Sequence, residues 1–149
     1  MGLLADAALA EGGRVVGVIP APLASKEIAH DGLTELIVVP GMHERKALMA
    51  RRAVGFLTLP GGIGTFEEFF EILTWSALGL HRKPIGLLNV EGYFDPLIFL
   101  LDHAVAEGLL RPEHAAAIVV SDDPESFPID LLGLVPPATG PNWIGENQA

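Results

Sequence analysis

Short apolar runs rich in β-branched residues alternate along this chain with stretches of helical periodicity, and few architectures accommodate that order. A helix over 2–11, ended by Gly12 and Gly13, precedes the strand RVVGVIP (14–20) and a loop through APLASKEIAHDG (21–32). The strand ELIVVP (35–40) leads to a helix from about Met42 to Arg52, then to the strand VGFLTLP (54–60) and a helix that follows Gly64. PIGLLNV (84–90), a helix over about 96–107 and the strand AIVVSD (117–122) complete the pattern. Strands separated by helices are the signature of βαβ units, so the sequence predicts an α/β fold around a mainly parallel sheet. VGFLTL and PIGLLNV lack polar/apolar alternation, which predicts strands buried on both faces.

The length of 149 residues suits one domain with its own core, expected over 1–132. Beyond Leu132 the segment GLVPPATGPNWIGENQA has no periodicity, and 133–149 reads as a Pro/Gly-rich, flexible tail in which Trp143 and Ile144 are the residues able to dock. Cysteine is absent, which excludes disulfides, thiol nucleophiles and cysteine metal sites. No uninterrupted apolar run is long enough to span a bilayer, and MGLLADAALAEGG lacks a basic leader, so a cytoplasmic protein without a membrane partner is expected. A net charge of −10 argues against a nucleic-acid surface. The basic residues are nevertheless clustered, with Arg45, Lys46, Arg51 and Arg52 supplying four of the nine. That spot fits either a small phosphorylated molecule or a solvated helix face.

The stretch LPGGIGTFEEFFEILTW (59–75) carries the sharpest signal. A glycine loop between a strand end and a helix N-terminus is where open α/β folds hold phosphates, because free N–H groups and the positive end of the helix dipole meet there. Gly61, Gly62 and Gly64 permit close approach of backbone to ligand, with the helix expected to start near Thr65. The same residues admit a structural reading. Thr65 and Glu68 stand at the T-x-x-E spacing of a capping box, in which Glu68 only stabilises the helix. No Gly-Lys-Ser/Thr follows and the pattern is not G-x-G-x-x-G, so neither a Walker loop nor an ordinary dinucleotide site is expected. Downstream, Phe66, Phe69, Phe70, Ile72, Leu73, Trp75, Leu78 and Leu80 exceed one sheet-facing stripe, and either a second subunit or the monomer core covers the surplus.

PGGIGTFEE resembles the PGGxGTxxE signature of the LOG (Lonely Guy) proteins, cytokinin riboside 5′-monophosphate phosphoribohydrolases, and MHERK (42–46) resembles their companion motif. The resemblance continues through EILTWSALGLHRKPIGLLNVEGYFDPL and GLLRPEH and covers roughly 1–132. It implies a Rossmann-like three-layer α/β/α fold and a homodimer with the active site near its interface. The implied reaction is hydrolysis of the N-glycosidic bond of AMP or an N6-modified AMP, giving free base and ribose 5-phosphate. Bacterial members often carry the label lysine decarboxylase, yet nothing in this sequence resembles a pyridoxal phosphate lysine site. By motif position, Arg45 and Glu68 would be catalytic. Glu27, Lys46, Gly62, Ile63, Gly64, Thr65, Phe66, Glu67 and Thr74 would line the substrate site. Neither a metal nor a cofactor is implied, and His43, inside the second motif, is read as a structural polar residue.

Bond cleavage builds oxocarbenium-like charge on the ribose, which an ionised carboxylate such as Glu68 stabilises, while Arg45 offers a permanent planar cation. On this reading Thr65 starts the helix and Glu68 turns from its cap toward the sugar. The family pattern normally begins with a strand bearing a CGSS-like turn, a helix, a second strand and a GGGxxGLMG segment, whereas this chain opens at MGLLADAAL. A misassigned or truncated N-terminus is therefore expected. A second function follows from that difference, namely a non-catalytic Rossmann-like nucleotide-binding protein inactivated by the missing loop.

Overall fold

The computed structural model describes residues 2–24, 30 and 32–134. The described chain packs as two compact units, Met1–Ala53 and Val54–Ala149. In the first, β1 (Val16–Pro20) and β2 (Glu35–Val39) run parallel, in register from Val16 opposite Glu35 to Pro20 opposite Val39. Helix α1 (Gly2–Ala10) precedes them and buries none of its residues; its Asp6 reaches His30 at 2.8 Å. The predicted loop after β1 begins instead with a helical turn, α2 (Ala21–Ala24). Pro22 is no obstacle there, since the first turn of a helix needs no N–H from it.

Helix α3 (Met42–Arg52) packs on β1. Its Glu44 lies in the first turn and Arg51 and Arg52 in the last, the arrangement that complements the helix dipole.

The second unit holds β3 (Phe56–Thr58), β4 (Ile85–Leu88) and β5 (Ile118–Ser121) as a parallel sheet with β4 in the centre. Every residue of β4 is buried, as its unbroken apolar run predicts. Side chains alternate across it. Ile85 and Leu87 meet Phe69 and Leu73 of α4 (Ile63–Ala77) and Phe94, which precedes α5 (Asp95–Ala106). Leu88 faces Phe127 and Leu131 of α7 (Phe127–Gly133), and a short α6 (Pro112–Ala115) precedes β5. At Gly86 a Cβ would lie 2.8 Å from Leu131 and 2.9 Å from Phe127, so the missing side chain is what lets α7 seat on the sheet.

β3 corrects one expectation, since it is not buried on both faces: Leu57 is 37% exposed, and the strand lies at the edge of its sheet. The α/β class with parallel strands between helices is as the sequence predicts, and the fold is Rossmann-like. Its strands are divided between a two-stranded and a three-stranded sheet. Among the described residues no helix is long and apolar enough to cross a membrane. Most of the expected tail, from residue 135 on, lies outside the described residues, while Gly133 closes α7.

Candidate functional site

β3 ends at Thr58 and the chain turns through Leu59, Pro60, Gly61 and Gly62 before α4 begins at Ile63. Gly62 is the N-cap, extended at φ −92° and ψ −155°, and its carbonyl accepts from Thr65 N at 3.0 Å and Phe66 N at 3.2 Å. This overturns the capping box. Thr65 is the third helical residue rather than the cap, so the helix starts two residues earlier than predicted. The reason is that glycine supplies the extended cap by backbone alone. Thr65 instead folds its Oγ1 back over Gly61, where a Cβ would lie 2.2 Å from it, so only glycine fits beside this threonine. The amides of Ile63 and Gly64 have no carbonyl to reach within α4, which leaves two donors at the helix mouth.

Glu68 stands in the second turn of α4, half-buried, with Glu67 beside it exposed. Phe66 packs its ring against the core cluster around Phe69 and Leu73. Ile63 is 86% exposed and Phe70 38%, so part of the apolar surplus on this helix does reach solvent. Thr74 is exposed, and its hydroxyl donates to Phe70 O at 2.7 Å, which leaves the oxygen free to accept. Thr74 borders a mostly apolar groove of about 380 Å³ lined also by Phe70, Leu73 and Leu101, with Arg111 and His114 as its other polar residues. His114 Nε2 is buried with no hydrogen-bond partner among the described residues.

The turn is tied to the next strand. Tyr93 donates its hydroxyl hydrogen bond to Gly61 O, and its ring meets Phe94 edge-on at 5.0 Å. Phe94 N donates to Asn89 Oδ1 at 2.6 Å, Asn89 Nδ2 donates to Asp95 Oδ1 at 2.7 Å, and Asn89 N donates to Ser121 O at 2.7 Å. Between them Glu91 holds a left-handed backbone at φ 52°. Sequence reasoning passed over Tyr93 and Asn89. The signal was their position in NVEGYFDP at the carboxyl end of a strand, where ligands of α/β folds gather.

Arg45 and Lys46 belong to the first unit, the glycine turn, Glu68 and Thr74 to the second. Arg45 is half-buried on α3; its Nε donates to Val18 O of β1 at 3.2 Å and its Nη1 lies 3.6 Å from Met42 Sδ. Those contacts hold the guanidinium against the sheet. Arg52 of the basic cluster meets Glu35 at 3.3 Å, which balances its charge locally. His43 is exposed, and Glu27 lies outside the described residues. Among the described residues no three His, Asp or Glu side chains are grouped to hold a metal ion.

A strand, a glycine turn and a helix mouth at the carboxyl edge of a parallel sheet define a Rossmann-like α/β protein. Residues 1–131 match the family described as possible lysine decarboxylase, and the chain belongs to that family, the group its LOG motifs resemble. It is 56% identical over 126 residues to the cytokinin riboside 5′-monophosphate phosphoribohydrolase of Rhodococcoides fascians, covering 84% of this chain and 64% of that protein. To a probable cytokinin riboside 5′-monophosphate phosphoribohydrolase of Oryza sativa subsp. japonica it is 47% identical over 136 residues, covering 91% of this chain and 60% of the relative. An Arabidopsis thaliana protein named for the same activity is 50% identical over 121 residues, 81% of this chain and 56% of its own length. The chain thus spans between about half and two thirds of these relatives.

Proposed function

We propose that this chain hydrolyses the N-glycosidic bond of purine nucleoside 5′-monophosphates, cytokinin riboside monophosphates or AMP, to free base and ribose 5-phosphate. The observation that carries the reading is the 56% identity to a protein named for that activity, over a stretch that includes the glycine turn and Glu68. In the proposed reaction the 5′-phosphate sits at the helix mouth formed by Gly62, Ile63 and Gly64, held by backbone amides and the dipole of α4. The bond from C1′ to the base nitrogen breaks as water oxygen adds to C1′; one water proton ends on the base. The Glu68 carboxylate stabilises the positive ribosyl carbon and orients the water, and Arg45 with Lys46 supplies cationic charge to the phosphate or ribose. Glu27, Thr65, Phe66, Glu67 and Thr74 complete the substrate wall.

The groove past Thr74 suits a hydrocarbon substituent at N6 better than bare adenine. Exposed Ile63 and Phe70 support a homodimer with the site near its interface, which we place in the cytoplasm. Residues 1–132 act in this reading as one catalytic domain followed by a tail.

Incubation with AMP and with isopentenyladenosine 5′-monophosphate, followed by chromatography for free base and ribose 5-phosphate, tests the proposal. Glu68→Gln is expected to lower turnover about a hundredfold or more while nucleotide still binds. Nucleotides left intact by the wild-type chain would sink the hydrolase. Binding without turnover would select the non-catalytic nucleotide-binding protein in its place.

A further inference from the structure

We propose that Tyr93 is a positioning residue that sets the orientation of the Gly61–Gly62 peptide and so decides whether the turn presents a donor or an acceptor to an anion. The inference rests on the reading of this turn as the 5′-phosphate site. A peptide flanked by two glycines meets little steric resistance to flipping, because neither neighbour has a Cβ to obstruct the rotation. In a trans peptide the C=O and N–H point in opposite directions, and the described chain has no cis bond. With Gly61 O directed at the Tyr93 hydroxyl, Gly62 N–H therefore points away from it and joins Ile63 and Gly64 as a third donor. The flipped peptide would turn a carbonyl oxygen toward the bound phosphate, and like partial charges would repel.

Tyr93 is 45% exposed but anchored on one side of its ring. Its ring stacks edge-on against fully buried Phe94, whose amide is held by Asn89, which in turn bonds to the end of β5. The hydroxyl thus ties the sheet to the one peptide of the turn that has no side chain on either flank. A tyrosine that merely satisfied a carbonyl would show no preference for the charged end of a ligand, which separates the two roles.

The test is Tyr93→Phe, which keeps the ring and its packing and removes only the hydroxyl. Calorimetric titration with ribose 5-phosphate and, separately, adenosine reads the two halves of the nucleotide, and thermal unfolding reads the fold. The expected result is an affinity for ribose 5-phosphate about tenfold weaker, with adenosine affinity and midpoint close to wild type. In turnover, KM for AMP rises with kcat little changed. Unchanged ribose 5-phosphate affinity in the variant, where wild type binds it, overturns the role of Tyr93 and leaves the phosphate site standing. Equal weakening of both ligands with a lowered midpoint makes Tyr93 structural only and likewise overturns it. A wild-type chain that does not bind ribose 5-phosphate removes the phosphate site and this proposal together.

Discussion

His81 illustrates how one side chain can make a fold sensitive to acid. Its Nε2 donates to Ile72 O at 3.0 Å, its Nδ1 accepts from Lys83 N at 3.2 Å, and its ring lies 5.1 Å from Phe56. Both nitrogens are therefore used only in the neutral Nε2–H tautomer. Burial lowers the pKa below the usual 6.5, the Ile72 carbonyl opposes that shift, and the nearby Lys83 charge adds to it. The unfolded chain then binds the proton more readily than the folded one. The contribution of His81 to stability is complete above pH 6.5 and is lost as pH falls through the lower, folded value. Urea midpoints from pH 7.5 down to 5 should decline more steeply for wild type than for His81→Gln; parallel profiles would show that His81 does not titrate as its surroundings dictate.

Among the elements, β4 and β3 behave differently although their sequences look alike. Leu87 in β4 has no exposed surface and touches the α4 and α5 side of the core, whereas Leu57 in β3 is partly open to solvent. Leu87→Ala is expected to cost about 2–5 kcal/mol and Leu57→Ala under about 1, measured as chemical-denaturation midpoints. The distinction was not legible in sequence, because an apolar run does not say whether a strand is central or at an edge. β4, α3 and α5 were legible, since length and periodicity decide them locally. The start of α4 was misread because Thr65 and Glu68 have box spacing, while the true cap is glycine backbone with no side-chain signal. α7 was missed because seven residues, anchored by Phe127 and Leu131, are too few to show a period. At the site, spacing singled out the glycine turn around Gly62, while for Glu68 it offered only a capping box and the catalytic role came from the motif resemblance. Tyr93 was marked only by its place after β4, and its bond to Gly61 was not legible because it joins positions 32 residues apart.

For the molecule as a whole, five strands shared between two parallel sheets leave β1, β2, β3 and β5 each with one flank that no described strand pairs. Unpaired strand flanks are templates for another chain. β2 is the most exposed to this hazard: Leu-Ile-Val-Val follows Glu35, and Leu36 and Val38 are 42% and 54% exposed. Such a segment has the β propensity and lack of charge that favour fibrils. Val38→Lys should lengthen the lag before thioflavin-T fluorescence rises in concentrated samples, with the unfolding midpoint nearly unchanged; an unaltered lag would clear β2 of blame. The net charge of −10 offers some protection through mutual repulsion, which fades as pH approaches the isoelectric point near 4.7. Should the Val38→Lys lag lengthen as expected, the shelf life of this protein in a tube would be set by colloidal kinetics at one thin ribbon rather than by the depth of its core.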